Sequence, residues 1–235
     1  MPQREFDVIV WGATGFTGQL VVEYLAQTYG CDGDLKWSVA GRNRDKLQQL
    51  CKSIGETVAG ELPVIIADSN DPDSLTDMAR RTAVMCTTVG PYARYGTPLV
   101  EACVDAGTDY CDLTGEVQWM ARVITDYEEQ ARASGSRIVH TCGFDSVPFD
   151  MGVWYLQQLM FERHGVYATQ VKGRVAGSRG GASGGTIASI LNMMEEAKRD
   201  PSIRKMVADP YLLYPSYAAP GLDGPDQRSA IYLSL

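Results

Sequence analysis

Short apolar runs alternate with amphipathic stretches along the first 150 residues of the chain. Continuously apolar runs bounded by polar residues are typical of strands buried on both faces of a parallel sheet. The predicted strands lie at 6–11, 37–40, 63–67, 83–89, 109–113 and 137–142. Helix starts are predicted at Asp71-Pro72 and Thr97-Pro98, and helix ends at Gly107 and Gly135. This alternation predicts a doubly wound α/β sheet.

The pattern changes after about residue 150. The predicted elements there are a helix at 149–165, a strand at 167–177, a helix at 187–200 and a strand-like run at 230–235. A sheet this small buries too little apolar surface to be stable alone. We therefore expect 1–150 to form one domain. Residues 151–235 would be the first part of a second, incomplete α+β domain, with the rest missing.

A glycine-rich turn follows the first predicted strand and opens the first predicted helix. In "WGATGFTGQL" three glycines stand three residues apart. Gly12 permits the tight turn, Gly15 lets the backbone approach a pyrophosphate, and Gly18 lets the helix pack on the sheet. The predicted binding residues of this turn are Gly12, Thr14, Gly15, Phe16, Thr17 and Gly18. The spacing is a variant of the dinucleotide fingerprint of Rossmann-like folds.

The end of the second predicted strand indicates which dinucleotide is bound. An NAD site has a carboxylate there for the ribose 2′-hydroxyl, but no acid occurs between Lys36 and Arg44. Arg42, Asn43 and Lys46 instead cluster where a 2′-phosphate would lie. The planar guanidinium suits a phosphate because it donates two parallel hydrogen bonds. We therefore predict NADP(H) as the cofactor.

Two further segments complete the predicted cofactor site. Asp68 ends the third predicted strand, where a carboxylate can accept a hydrogen bond from the adenine amino group. A cap of the following loop is the alternative role for Asp68. Val89, Gly90 and Pro91 follow the fourth predicted strand, at the rim where the nicotinamide arm should run.

Composition excludes several classes of protein. The 235 residues are 45% hydrophobic, which is enough for a core without metal or disulfide staples. Six scattered cysteines and only two histidines predict reduced thiols and no structural metal. A net charge of -8 without a basic cluster argues against nucleic-acid binding. We see neither a signal peptide nor a transmembrane run, so we expect a cytoplasmic protein.

Five motifs together resemble the saccharopine dehydrogenase-like oxidoreductases. They are "VWGATGFTGQ", "AGRNRDKL", "TTVGPYARYGTPLVEAC", "GTDYCDLTGE" and "CGFDSVPFD". The likeness covers about residues 5–155 and points to the bacterial trans-acting enoyl reductases of polyketide-lipid assembly. It implies an NADP-binding Rossmann domain and a second, substrate domain that covers the nicotinamide. For that branch it also implies reduction of a carbon–carbon double bond on a carrier-bound thioester.

Two residues are candidates for the catalytic site. Asp145 follows the sixth predicted strand, at the edge where open α/β sheets bind ligands, and would position a substrate or cap the next helix. Tyr92 would place a hydroxyl near the hydride or pack beneath the cofactor. His140 and Cys142 fall in the sixth predicted strand and are interpreted as buried. No tyrosine has a lysine four residues later, so the Tyr-x-x-x-Lys pair of short-chain dehydrogenases is absent.

These observations and the resemblance together predict an NADPH-dependent oxidoreductase. It would reduce the double bond of an enoyl thioester in lipid or polyketide metabolism, either a small molecule or bound to a carrier protein. A homo-oligomer is left open. Two alternatives also stay open: a non-catalytic NADP-binding sensor or scaffold module, which the missing acid–base pair permits, and a saccharopine-type C–N dehydrogenase.

Overall fold

The computed structural model describes residues 4–54, 62–177, 180–209 and 212–213. Its strands are β1 (Phe6–Trp11), β2 (Trp37–Gly41), β3 (Val64–Ile66), β4 (Thr82–Thr87), β5 (Asp109–Cys111) and β6 (Ile138–Val139). Its first five helices are α1 (Phe16–Tyr29), α2 (Arg44–Ile54), α3 (Pro72–Arg80), α4 (Tyr92–Tyr95) and α5 (Thr97–Ala106). The later helices are α6 (Val117–Ser134), α7 (Val147–His164), α8 (Gly184–Arg199) and α9 (Pro201–Ala208).

The six strands form one parallel sheet in the order β3-β2-β1-β4-β5-β6. From β1 the chain winds outward through β2 to β3 and then crosses back to β4 on the other side of β1. Val10 of β1 pairs with Val39 on one side and Cys86 on the other, so the carboxyl ends of these strands lie together. The reversal between β1 and β4 is where sheets of this kind bind ligands. The predicted doubly wound α/β sheet is confirmed.

The core has one layer on each face of the sheet because alternate residues of a strand point to opposite faces. Ile9 and Trp11 of β1 pack in one layer with Met85, under α3, α5 and α6. Val10 packs in the other layer with Val39, under α1 and α2. This explains why the central strands are continuously apolar rather than alternating.

The four predicted helix boundaries are present. Asp71 caps α3, since its carboxylate accepts a hydrogen bond from the Ser74 N–H at 3.3 Å. Gly107 and Gly135 end α5 and α6 in the left-handed conformation. The helix start predicted at Thr97-Pro98 is also present, although Gly96 rather than Thr97 is the N-cap of α5.

The sixth strand is shorter than predicted. It ends at Val139, so His140 and Cys142 lie in the loop that follows it, and Cys142 is exposed rather than buried. Only two residues of β6 pair with β5. The chain then turns away from the sheet, where the Thr141 N–H donates a hydrogen bond to the Asp112 carboxylate at 3.1 Å.

The region after β6 departs most from the prediction. None of the described residues of α7 is buried. The predicted strand at 167–177 is wrong, since these residues form no strand. A strand needs a partner backbone, and Ala168 instead exchanges two hydrogen bonds, at 2.7 and 2.9 Å, with the Gln157 side chain of α7.

The second predicted helix of this region is present with different ends. It is α8, which begins at Gly184 after a Ser183 cap. Pro201 ends it as predicted and then starts α9, where Asp200 is the N-cap. The strand-like run at 230–235 lies outside the described residues. Within the described ranges, no helix is both long and apolar enough to cross a membrane.

Candidate functional site

A cleft of about 860 Å³ opens at the carboxyl ends of the strands. Its volume lies in the range typical of sites that bind small molecules and cofactors. The glycine turn after β1, the loops after β4, β5 and β6, and one face of α8 form its walls. The predicted site residues that line it are Gly12, Thr14, Gly15, Phe16, Thr17, Arg42, Val89, Gly90, Tyr92 and Asp145.

Two glycines of the turn leave no room for a side chain. Gly12 has a φ of 84°, and a Cβ there would lie 2.5 Å from Val89 Cγ2. A Cβ on Gly18 would lie 2.2 Å from the Gly12 carbonyl oxygen. Gly18 therefore lets α1 pack directly on the turn, as predicted. It is buried and does not line the cleft.

Gly15 faces the cleft at the N-terminus of α1. It is the N-cap residue and makes no side-chain cap, and a Cβ there would meet only the Gly12 oxygen, at 3.3 Å. The first N–H groups of a helix lack intrahelical acceptors and carry the positive end of the helix dipole. An uncapped helix start with no side chain in front of it is suited to an anion such as a pyrophosphate.

Of the three residues predicted for the 2′-phosphate, only Arg42 lines the cleft. Its guanidinium is exposed and has no hydrogen bond or ion pair within the described part of the chain. Asn43 caps α2, since its side-chain oxygen accepts a hydrogen bond from the Lys46 N–H at 2.9 Å. Lys46 is exposed in the first turn of α2, away from the lining.

Asp68 makes the contacts of a loop cap. One carboxylate oxygen accepts hydrogen bonds from the backbone N–H and the side-chain amide of Asn70, at 2.9 and 3.0 Å. Ser69 and Asn70, rather than Asp68, line the cleft. The carboxylate thus shapes the turn that presents these two residues.

The loop after β4 brings Val89 and Gly90 to the cleft, and Pro91 leads from it into α4. The Gly90–Pro91 peptide bond is cis. Pro91 does not itself line the cleft. Ser189 of α8 lies opposite this loop. If Gly90 carried a Cβ, that atom would be 3.3 Å from the Ser189 hydroxyl oxygen.

Tyr92 forms part of the floor of the cleft. It is 4% exposed, its hydroxyl donates to the Thr87 carbonyl at 3.3 Å, and its ring centroid lies 5.6 Å from that of Trp119. Burial raises the pKa of the Tyr92 hydroxyl well above its ordinary value, and the negative charge of Asp112 raises it further. The phenol therefore stays protonated near neutral pH and is a weak proton donor.

Asp145 lies on the opposite side of the cleft, just before α7. It is exposed, and its carboxylate has no hydrogen-bond partner within the described residues. Ser146, not Asp145, is the N-cap residue of α7, and it makes no side-chain cap. The carboxylate thus faces the cleft without a capping role.

A buried polar network behind the cleft was missed by the sequence analysis. The Asp112 carboxylate accepts hydrogen bonds from the Tyr110 hydroxyl at 2.9 Å and the Thr114 N–H at 3.0 Å. Its Oδ2 also lies 2.7 Å from His140 Nδ1. The network fixes the loop after β5, whose residues Leu113 to Glu116 line the cleft. Their position directly after a strand of the sheet was the available signal.

The wall formed by α8 was also missed. Its lining residues are Gly185, Thr186, Ser189, Ile190 and Met193. Arg94 of α4 holds the helix in place through a hydrogen bond to Asn192 and an ion pair with Glu195 at 3.5 Å. These partners are 98 and 101 residues from Arg94 in the chain, and no local pattern in the sequence indicates that they meet.

A doubly wound parallel sheet with an uncapped helix start after β1 and an exposed arginine after β2 is typical of a dinucleotide-binding domain. Residues 8–139 match the family described as Saccharopine dehydrogenase NADP binding domain, and the chain belongs to this family. This confirms the predicted resemblance and NADP as the cofactor.

Curated relatives carry the name trans-acting enoyl reductase. One from Mycobacterium tuberculosis, provisionally so named, is 46% identical over 222 residues, which cover 94% of this chain and 52% of the relative. The trans-acting enoyl reductase of Mycobacterium ulcerans is 42% identical over 212 residues, which cover 90% of this chain and 50% of the relative. The chain thus spans about half the length of these relatives.

The fold is also similar to that of a solved structure, the apo form of saccharopine dehydrogenase (L-Glu forming) from Saccharomyces cerevisiae. The TM-score is 0.51 at 21% sequence identity, covering 68% of this chain and 31% of that chain. At this identity the likeness concerns the fold alone.

Proposed function

We propose that the cleft binds NADP(H) and that the protein reduces the carbon–carbon double bond of an enoyl thioester. The observation that carries the proposal is that one cleft brings together the uncapped start of α1, the exposed Arg42, and the side chains of Tyr92 and Asp145. The substrate class comes from the relatives named trans-acting enoyl reductase.

The cofactor would lie across the switch point between β1 and β4. The pyrophosphate would occupy the open helix start at Gly15, and the 2′-phosphate would lie against Arg42. The adenine would lie beside the loop at Asp68, and the nicotinamide along Val89 to Pro91. When bound there, NADPH supplies the hydride.

Arg42 should determine the preference for NADPH over NADH. An Arg42→Ala variant is expected to lose about tenfold or more in NADPH affinity, because a charged hydrogen bond to the 2′-phosphate is removed. Its NADH affinity should stay nearly unchanged. Isothermal titration of both cofactors measures this, with the exposed Arg132→Ala of α6 as the control. An Arg42→Ala variant that keeps the wild-type preference would show that another residue reads the phosphate.

The substrate would enter from the side of α7 and α8. Phe144, Ile190 and Met193 line this end of the cleft and offer apolar contacts to an acyl chain. Hydride addition to the β-carbon moves the double-bond electrons to the thioester oxygen as an enolate. A proton from water or a nearby hydroxyl then completes the α-carbon. Because Tyr92 is a weak acid, we assign Tyr92 and Asp145 to orienting the substrate.

Tyr92→Phe and Asp145→Asn should each lower turnover by at least about tenfold, which corresponds to losing roughly 1.4 kcal/mol of transition-state stabilisation. The NADPH dissociation constant should change little, since neither side chain lies at the phosphates. Asp126→Asn, an exposed change on α6, is the matched control. Equal losses in turnover and NADPH affinity would instead place these residues in cofactor binding.

The experiment that tests the function is incubation of the protein with NADPH and a crotonyl-type thioester, free and carrier-bound. We expect loss of nicotinamide absorbance, faster with the carrier-bound substrate because an enzyme acting in trans can use the surface of the carrier for binding. Tight NADPH binding without turnover of either thioester would support the sensor or scaffold module instead. NADP⁺ reduction with an amino-acid substrate would support the C–N dehydrogenase.

We further propose that residues 151–235 belong to the substrate domain of this enzyme. The support lies in α7, which exposes large apolar side chains such as Trp154, Tyr155 and Phe161. Exposed apolar patches of this kind usually mark an interface. The lining residues of α8 support the same assignment, because this helix closes the end of the cleft where the substrate would bind.

A further inference from the structure

Glu116 is a buried carboxylate whose two oxygens bind the same short backbone segment. It is only 2% exposed. Its Oε1 accepts a hydrogen bond from the Tyr92 N–H at 2.7 Å, and its Oε2 accepts one from the Ala93 N–H at 3.0 Å. No cation pairs with it within the described residues. Burying a carboxylate is costly unless hydrogen bonds compensate, so the two N–H donors account for its position.

The segment held by Glu116 is the start of α4. The first N–H groups of a helix have no intrahelical acceptors, and the N-cap residue of α4, Pro91, offers no side-chain cap. Glu116 supplies both acceptors from another loop. The backbone that runs from Gly90 through Tyr92 is thereby fixed at the edge of the cleft.

Glu116 is itself held rigidly by its own loop. Its N–H donates to the Thr114 hydroxyl at 3.1 Å. Its carbonyl accepts hydrogen bonds from the N–H groups of Trp119 and Met120, at 2.9 and 3.1 Å, so it begins α6. The carboxylate thus links the start of α6 to the start of α4. The Tyr92 ring, packed on Trp119, joins the same two helices.

We propose that Glu116 is a positioning residue for the nicotinamide half of NADP(H): its carboxylate fixes the start of α4, and with it Gly90 and Pro91, along which the nicotinamide lies. This inference rests on the placement of the nicotinamide given under the proposed function. The adenine half, bound at the glycine turn and Arg42, does not depend on Glu116.

A comparison of two ligands tests this. NADPH and 2′-phospho-ADP-ribose share the adenine half and both phosphate sites, but only NADPH carries the nicotinamide. In the wild-type protein we expect NADPH to bind more tightly and its nicotinamide fluorescence to change on binding. Glu116→Gln keeps the shape but turns an amide donor toward a backbone donor. It should lower the affinity advantage of NADPH by about tenfold and return the fluorescence toward that of free NADPH.

If Glu116 had only a structural role, its substitution would weaken the binding of both ligands equally. The ratio of the two dissociation constants therefore separates a positioning role from a structural one. Loss of the negative charge also acts on both ligands alike. Glu128→Gln, at an exposed position of α6, is the matched control and should leave the ratio unchanged. Glu116→Asp keeps the charge but withdraws the oxygens by one methylene, and it decides the test if Glu116→Gln does not fold.

The positioning role would be overturned, and the proposed function left intact, if both Glu116 variants kept the wild-type ratio of dissociation constants and the wild-type fluorescence of bound NADPH. A wild-type protein that binds the two ligands equally and leaves the nicotinamide fluorescence unchanged would overturn both. An affinity advantage lost in the Glu116 variants and kept in Glu128→Gln supports the inference.

Discussion

A Gly15→Val variant is expected to lose NADPH binding and still fold. Gly15 has φ of -74° and ψ of 165°, an extended conformation open to any residue, and a Cβ there meets only the Gly12 oxygen at 3.3 Å. A side chain at this position therefore requires only a shift of a few tenths of an ångström by the Gly12 carbonyl. The valine would stand where a pyrophosphate must approach the N–H groups of α1, so we expect at least about a hundredfold loss of affinity, or roughly 2.7 kcal/mol.

Titration calorimetry and thermal unfolding of the same preparation measure the two halves of this prediction. The melting temperature should stay close to that of the wild-type protein. A Gly15→Val variant that titrates normally with NADPH would show that the turn is structural and binds no dinucleotide.

A Gly18→Ala variant is expected to lose folding stability. The added Cβ would lie 2.2 Å from the Gly12 oxygen and 2.9 Å from Ala13 Cα. Both are backbone atoms that cannot rotate aside, so α1 would have to move away from the sheet. Overpacking of this kind costs about 3 kcal/mol, which for a protein of this size lowers the melting temperature by roughly 6–12 °C.

The matched control is Gly152→Ala in α7, where an added Cβ meets nothing within 4 Å. It should be neutral or slightly stabilising, because alanine favours a helix more than glycine does. Wild-type stability of Gly18→Ala would contradict the close packing of α1 on the turn. Together, Gly15 and Gly18 separate ligand binding from folding within a single turn of the chain.

The sheet and its glycine turn could be predicted because their signals are local. The apolar run of β1 passes directly into the turn, and the close contacts of Gly18 are with Gly12 and Ala13, a few residues earlier in the chain. The cap at Asp71 is equally local, since the side chain binds a backbone N–H three residues later. Contacts between residues this close in the chain can be predicted from the short sequence that contains them.

The walls of the cleft could not be predicted, because they depend on contacts between distant segments. Glu116 reaches α4 across 23 residues, and Arg94 reaches α8 across 98. The local pattern also gave a wrong prediction at residues 167–177. This run looks like a strand in the sequence, but Ala168 hydrogen-bonds to the Gln157 side chain instead of to a partner strand. Asn43 is one of the residues predicted to bind the 2′-phosphate, yet its side chain caps α2.

The reaction is tested most directly by following the hydride. The protein is incubated with a crotonyl-type thioester and NADPH carrying deuterium at the transferable C4 position, each C4 face labelled in turn, and the product is analysed by NMR. We predict one deuterium at the β-carbon from one labelled face. In D₂O with unlabelled NADPH, we predict one deuterium at the α-carbon. Absence of a labelled saturated thioester, from a protein that binds NADPH tightly, would contradict the assignment as an enoyl reductase.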